Sequence, residues 1–327
     1  MIKRFAYTAI ILLASNSALF ACASCGCSIG SDWEDPTFLQ EGGFKFDLKY
    51  DYLDQNKLMS GRSSISAATA SNEGYEIEKY TKNEYITASL DYAFNDRFGL
   101  NFSLPYIIRD HSTLGVGPTN GTTPVSGGGS YNSKTTTIGD AKLIGRYLIN
   151  EQHNLGIMVG LKFATGSHSL MGISTDSSDP TGTSATIDRG LQPGTGTTDA
   201  IAGIYYFHSL TGMSNIFTQV MYQSALNSSD SYRPGDVYNA NIGVNYTGFK
   251  NIIPKLQLNA KYQNHDTGDN ADPVNTGGLL TYLTPGVMVN FDKVTLYSSV
   301  QIPVYQYVNG VQLVPDYILS LGVRYSF

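Results

Sequence analysis

Apolar and polar residues alternate with a period of two along most of the chain, and the 3.6-residue period of an amphipathic helix is almost absent. Residues 43–54 and 315–327 show the alternation most clearly. In the first stretch, aromatic side chains such as Phe46 lie opposite charged ones such as Asp47. Because a charge at every second position needs water, each strand is predicted to have one wet face and one apolar face.

The alternation predicts about 12 strands of roughly ten residues or more, the length that a tilted strand needs to cross a membrane. These strands cover residues 43–54, 80–94, 98–108, 136–149, 155–165, 198–208, 215–225, 236–247, 255–264, 279–291, 294–305 and 315–327. The connections are alternately short and long. We therefore predict an all-β fold, a transmembrane antiparallel up-and-down β-barrel over residues 43–327, with short periplasmic turns and long extracellular loops. A soluble sandwich would have strands of only about five to six residues.

Three prolines, Pro105, Pro285 and Pro303, lie inside predicted strands. Proline has no N–H group to donate to a neighbouring strand. Each of the three is therefore predicted to mark a bulge or a local break in strand pairing.

The composition agrees with membrane-spanning strands. Charged residues make up 15% of the chain, against about 25% in soluble domains. The 23 tyrosines have amphipathic rings that suit the level of the lipid headgroups. The net charge of −6 and a pI near 5.3 provide no basic surface for nucleic acid, so no nucleic-acid partner is predicted.

The N-terminus has the pattern of an export signal, in which two cations precede an apolar stretch. Residues 1–23 are predicted to be this signal peptide. Cleavage after Ala23 would follow the small residues that a signal peptidase reads, whereas cleavage after Ala21 would make Cys22 the lipid-bearing first residue of a lipoprotein. Residues 24–42 would then form a polar periplasmic segment, which is one candidate for partly plugging the barrel.

All three cysteines lie in this region, at Cys22, Cys25 and Cys27. Cys25 and Cys27 are candidate thiolate ligands for a soft metal, although a structural zinc site needs four ligands and the first histidine is His111. The alternatives for this pair are a disulfide or a contact with a periplasmic protein. For Cys22, the hypothesis is that it belongs to the processing site of the signal peptide or carries a lipid.

The wet faces of the strands place charged residues inside the predicted barrel. These lumen-lining candidates are Lys45, Asp47, Lys49, Asp91, Asp140, Lys142, Arg146, Lys162, Asp199, Lys261 and Arg324. Charges of both signs occur on neighbouring strands, so we expect them to pair and to stiffen the wall without strong ion selectivity. A barrel of about twelve strands has a narrower lumen than a 16-stranded porin, which favours a small solute.

The chain has five histidines, His111, His153, His168, His208 and His265, and some outer-membrane hydrolases are barrels. A catalytic triad needs a nucleophile and a base within hydrogen-bond reach. Serine follows His111 and His168 only in Gly- and Ser-rich stretches, without the strained turn of a serine nucleophile. We therefore predict no enzyme, no catalytic residue and no cofactor, and a hydrolase is the least favoured alternative.

Several segments carry a family resemblance. They are TIGDAKLIGRYLI (137–149), LKFATGSHS (161–169), LQPGTGTTDAIAGIYYF (191–207), YLTPGVMVNF (282–291) and VQIPVYQYVNGVQLVPDYILSLGVRYSF (300–327). They resemble the outer-membrane transporters of the MetA pathway of phenol degradation, over roughly residues 80–327. The resemblance implies transport of small, aromatic or hydrophobic compounds across the bacterial outer membrane, and the terminal RYSF resembles the signal read by the barrel assembly machinery.

The predicted function is an outer-membrane channel or transporter for passive uptake or efflux of small solutes, in contact with outer-membrane lipid. The alternative is a barrel that scaffolds a periplasmic metal or redox partner through Cys25 and Cys27. A solute-flux measurement separates the first hypothesis from the second, which depends on the cysteines.

Overall fold

The computed structural model describes residues 43–72, 77–114, 129–175 and 181–327. The strands are β1 (Gly43–Gly61), β2 (Ser63–Ser64), β3 (Ile77–Ala93), β4 (Phe98–Leu114), β5 (Ser130–Ile138), β6 (Lys142–Leu148), β7 (Leu155–Lys162), β8 (Met171–Thr175), β9 (Thr183–Thr186), β10 (Asp199–Thr211), β11 (Ser214–Ala225), β12 (Val237–Tyr246), β13 (Ile252–Gln263), β14 (Gly278–Phe291) and β15 (Val294–Ser326). The α-helix α1 is Ala67–Asn72 and a 3-10 helix is Arg189–Leu191. No helix in these ranges is long and apolar enough to span a membrane.

The strands close into an antiparallel barrel. The order round the wall is β1, β3, β4, β6, β7, β10, β11, β12, β13, β14 and β15, and β15 pairs with β1 to complete the ring. In this closing pair Lys45 lies opposite Ser326, so the first and last strand residues lie at the same rim as the short turns. We call this end the short-turn rim and the other end the long-loop rim. Closure pairs the backbone groups that an open edge would expose, and the predicted fold class is confirmed.

β15 supplies two strands of the wall. It runs continuously through 33 residues but turns back at Gly310, whose φ of 55° lies in the left-handed region that glycine tolerates. Its first arm pairs with β14 and its second with β1, and the Gln306 side chain donates to the Pro315 carbonyl between the arms at 3.0 Å. Counted as two arms, β15 brings the wall to twelve strands. The loop implied between the predicted strands 294–305 and 315–327 is wrong, because strand structure continues through residues 306–314.

The segment predicted as one strand at 136–149 is two strands, separated by residues 139–141. β6 pairs with the part of β4 near the short-turn rim, and β5 pairs with the part near the long-loop rim. The break lies beside Pro105, whose carbonyl accepts the Gly139 N–H at 2.8 Å. Beyond the break, the other edge of β5 pairs with β8 of the β8–β9 hairpin, where β6 has the wall strand β7.

The other two prolines also mark irregular pairing. The register of β14 against β15 shifts by one residue next to Pro303, and the pairing of the same strands is interrupted around Pro285. All three predicted irregularities are therefore confirmed, and the missing proline N–H is their physical cause.

The outward faces form an apolar surface between two aromatic girdles. Large apolar side chains such as Ile242 and Leu258 are exposed along the wall. The girdle at the short-turn rim includes a chain of ring contacts, with centroid separations of 4.3 to 5.1 Å, through Phe44, Tyr92, Phe94 and Phe98. The girdle at the long-loop rim includes Tyr222, Tyr238 and Tyr262. An apolar band with an aromatic girdle at each end is typical of outer-membrane barrels.

Apolar side chains fill one sector of the barrel interior towards the long-loop rim. They are no more than 3% exposed. They come from β1, β14 and β15, and we call them the filled sector: Leu53, Met59, Leu280, Tyr282, Val308, Val314 and Ile318. Tyr85 and Ile107 pack against them from β3 and β4. The interior is therefore closed on this side by packed side chains.

Candidate functional site

A cavity of about 350 Å³ lies inside the barrel, beside the filled sector. Its lining comes from every wall strand, from residues 187–198, which connect β9 to β10, and from a few residues of the β5–β6 and β11–β12 connections. We call residues 187–198 the inner loop. A volume of this size is in the range of small-molecule sites, which is about 300–1,000 Å³.

Charged side chains of both signs face the cavity, but cations are more numerous. The eight cations are Lys49, Arg109, Lys142, Lys162, Arg189, Lys255, Lys261 and Arg324. The four carboxylates are Asp47, Asp91, Asp140 and Asp199.

Nine of the eleven lumen-lining candidates lie in the lining of this cavity. The other two, Lys45 and Arg146, lie outside the lining, and each is only 4% exposed. Successive side chains of a strand point to opposite faces. Lys45 therefore faces inward, since its neighbours Phe44 and Phe46 are exposed on the outer face. The alternation thus indicates the orientation of these side chains, whereas their role in solute passage stays a prediction.

Lys162 is the centre of the densest charged cluster. Its Nζ lies 3.0 Å from Asp140 Oδ2 and 3.2 Å from Asp199 Oδ2. Asp140 also accepts the backbone N–H groups of Gly166 and Thr195, each at 3.0 Å. The cluster therefore connects β7 and β10 to the break before β6 and to the inner loop.

The PGTG motif allows the inner loop to pass close to the segment that follows β7. A Cβ atom at Gly194 would lie 2.3 Å from the Gly166 carbonyl oxygen, so a larger residue would displace one of the two segments. Gly196 has a φ of 72°, which a side chain disfavours. These two glycines give the local reason for the motif.

Arg109, on β4, also fixes the inner loop. Its Nε donates to Asn83 Oδ1 at 2.5 Å and its Nη2 to the Tyr85 hydroxyl at 3.0 Å. Its Nη1 donates to the Leu191 carbonyl at 2.5 Å. Arg189, inside the loop, donates to the Thr195 carbonyl of the same loop and to one carbonyl in each of two neighbouring loops. The planar guanidinium groups thus supply several donors each to oxygen atoms of the inner loop and its neighbours.

Ion pairs also form nearer the short-turn rim. Arg324 Nε lies 3.1 Å from Asp47 Oδ2, and the Tyr297 hydroxyl donates to Asp47 Oδ1 at 2.7 Å. Asp47 and Arg324 are directly opposed on neighbouring strands, as expected for paired charges. The ion pair of Asp91 with Arg146 spans β4 instead.

The close polar contacts of two histidines involve residues outside the cluster around Lys162. His111 is buried, and its ring nitrogens contact the hydroxyls of Thr81 at 2.8 Å and Thr113 at 3.0 Å. His168 Nε2 lies 3.5 Å from Asp230 Oδ2 between two loops. The hydroxyls at His111 belong to threonines within the sheet, so these contacts do not form a serine nucleophile with a histidine base.

The three cysteines, Cys22, Cys25 and Cys27, lie outside the described residues, as do the predicted signal peptide and the segment 24–42. Within the described ranges, no group of three or more His, Cys, Asp or Glu side chains is placed to hold a metal ion.

Sequence reasoning missed Arg109, Lys255 and the inner loop. The predicted strand ended at residue 108, although Arg109 continues its alternation and β4 runs to Leu114. Lys255 has the same parity as Lys261 on β13, so the alternation could have identified it. No local pattern showed that the inner loop folds inward, because its contacts join distant parts of the chain.

Known structures share this architecture, although no protein-family profile matches the sequence. No curated protein matches it either. An outer-membrane channel from Pseudomonas putida F1 aligns with a TM-score of 0.63 and 15% identity, over 88% of this chain and 96% of that one. The CymD monoaromatic hydrocarbon channel aligns with a TM-score of 0.51 and 10% identity, over 95% and 98%. The chain therefore has the fold of outer-membrane channels.

Proposed function

We propose that the protein is a channel in the bacterial outer membrane that lets small, aromatic or hydrophobic solutes cross passively. The observation that carries this proposal is the cavity of about 350 Å³ inside a closed wall. Its lining combines charged groups with apolar side chains such as Ile144, Met158 and Ile201. The apolar outer band and aromatic girdles support the membrane location. The similarity of fold to the CymD channel supports the aromatic solute class by analogy.

Within this proposal the chain is a transporter like those of the MetA pathway of phenol degradation, whose motifs it resembles. Residues 1–23 are the cleaved signal peptide and residues 24–42 a periplasmic segment. The terminal RYSF directs insertion by the barrel assembly machinery. Passage of a solute through the lumen needs no covalent chemistry and no cofactor.

Flux through the purified protein in liposomes tests the proposal. We expect swelling that depends on solute size, and single-channel currents in planar bilayers. Thr87→Trp should reduce both, because Thr87 lines the cavity. Ala88→Trp is the matched control, since Ala88 follows on the outward face of the same strand. A folded wild-type barrel that passes no solute would contradict the proposal.

A further inference from the structure

We infer that the lumen selects organic anions, which are small solutes with a carboxylate on an apolar body. The inference rests on the proposed channel function and adds the chemical class of the solute. It begins with the lining, which holds eight cations and four carboxylates, although the whole chain has a net charge of −6. The lining therefore carries a net positive charge, opposite in sign to the whole protein. It stays positive when Asp51 and Asp230, which pair with Lys49 and Arg189 from outside the lining, are counted with it.

The four carboxylates are all engaged in ion pairs. Asp140 and Asp199 share Lys162, whose Nζ lies within 3.2 Å of both. Asp47 and Asp91 are paired with arginines on other strands. Because a carboxylate enclosed in a barrel needs such compensation, these four groups present little negative potential to a passing solute.

Two lysines on nearly opposite walls contribute to the surplus of positive charge. Lys142 is on β6 and Lys261 on β13, five strands apart in one direction round the twelve-strand wall and seven in the other. Neither has a carboxylate within ion-pair distance in the described ranges. The charge of Lys261 does reach the Asp266 carboxylate, where it opposes the rise in pKa that burial causes. Lys142 is also paired across the sheet with another cation, Lys162. An anion between these walls would be attracted by both ammonium groups.

The enclosed position of these charges strengthens their effect. Lys261 is only 4% exposed, and charges in a confined, partly desolvated lumen interact more strongly than in bulk water. A passage lined by one sign of charge concentrates ions of the opposite sign. The lumen should therefore be richer in anions than the solution at either end.

Apolar side chains between the charged groups favour an organic anion over an inorganic one. Ile144, Met158, Ile201 and Met221 line the same cavity as the lysines. They come from β6, β7, β10 and β11, which are consecutive in the wall. A bare inorganic ion would leave this surface without a partner, whereas the ring of an aromatic carboxylate would cover it.

The zero-current potential of single channels under a potassium benzoate gradient tests the inference at pH 7.5. We expect benzoate to be more permeant than potassium. In the double variant Lys142→Gln with Lys261→Gln, the permeability ratio should fall about tenfold. Lys250→Gln, in an exposed turn, removes the same kind of charge away from the lumen and should leave the ratio unchanged. If the double variant does not fold, Lys142→Gln alone should produce a smaller fall, because Lys142 is only half-buried.

Three results would overturn the inference, and they differ in what else they overturn. Currents that favour potassium over benzoate would reject anion selectivity and leave the channel function intact. Chloride that is far more permeant than benzoate, beyond their difference in free mobility, would reject the organic class. A folded protein without any current would reject the channel function and this inference together.

Discussion

The two sides of the barrel interior are built from the same kind of strand but are filled differently. In the filled sector, Leu53, Tyr282 and Ile318 pack together with almost no exposed surface. On the opposite side, Lys142 and Lys162 face a cavity. Apolar inward side chains gain free energy by excluding water, whereas charged ones must keep either water or a partner. The residues at the inward positions therefore decide where the barrel interior is filled and where a path for solutes remains.

Removing the central cation of the charged side should have the largest effect. Lys162→Met would leave Asp140 and Asp199 buried without their shared partner. We expect a loss of about 3–5 kcal/mol in unfolding free energy and release of the inner loop. Heat-dependent migration in gel electrophoresis and unfolding by denaturant measure this loss of stability. The triple variant that also carries Asp140→Asn and Asp199→Asn should recover much of the stability. If Lys162→Met alone were as stable as the wild type, the ion cluster would not stabilise the barrel.

Opening the filled sector should have the next largest effect. Leu53→Ala removes a fully buried side chain and should cost at least about 2 kcal/mol because of the cavity it leaves. It should also raise single-channel conductance if packing closes this side. Leu321→Ala, on the exposed outer face, removes the same atoms and should change conductance little. Equal conductance in the Leu53 variant and the wild type would mean that this sector does not limit the path.

A smaller effect is expected from pH, through the inner loop. Burial and the Asp272 carboxylate raise the pKa of Asp188, just before the 3-10 helix, to about 7. In an undocked loop this carboxyl would titrate near 3.9. Because the docked loop binds the proton more tightly, docking is most stable below about pH 4 and weakens as the pH rises through 7. The mean current should therefore increase from pH 5 to pH 8.

Asp188→Asn should remove this pH dependence and keep the current near its low-pH value, because the amide cannot ionise. Recordings of wild type and variant at matched pH test this. An unchanged pH response in the variant would assign the response to another group.

The sequence predicted the wall much better than it predicted the path through it. Strand parity depends on adjacent residues, so it oriented side chains such as Lys45 and Asp199 without knowledge of the fold. The ends of β1 and β4 were predicted too early, because their last residues, QNKLMSG and RDHSTL, include fewer apolar side chains. The 294–327 region was divided correctly into two strands, but the turn at Gly310 was shorter than the predicted loop.

The filled sector and the pairing of the charged groups could not be predicted in the same way. The hydrogen bond from Arg109 to the Leu191 carbonyl joins residues 82 positions apart, and such a contact leaves no local pattern. Similarly, the composition gave both signs of charge, but only the three-dimensional pairing shows that Lys162 compensates two carboxylates. The number of uncompensated charges in the lumen depends on this pairing.

Current block through single introduced cysteines tests most directly whether solutes follow the charged side. In a background without Cys22, Cys25 and Cys27, a bulky thiol reagent would be applied to Lys142→Cys and to Ile318→Cys during single-channel recording. We expect modification of Lys142→Cys to remove most of the current, and Ile318→Cys to react slowly and without effect. Block at Ile318→Cys with no effect at Lys142→Cys would contradict the assignment of the path.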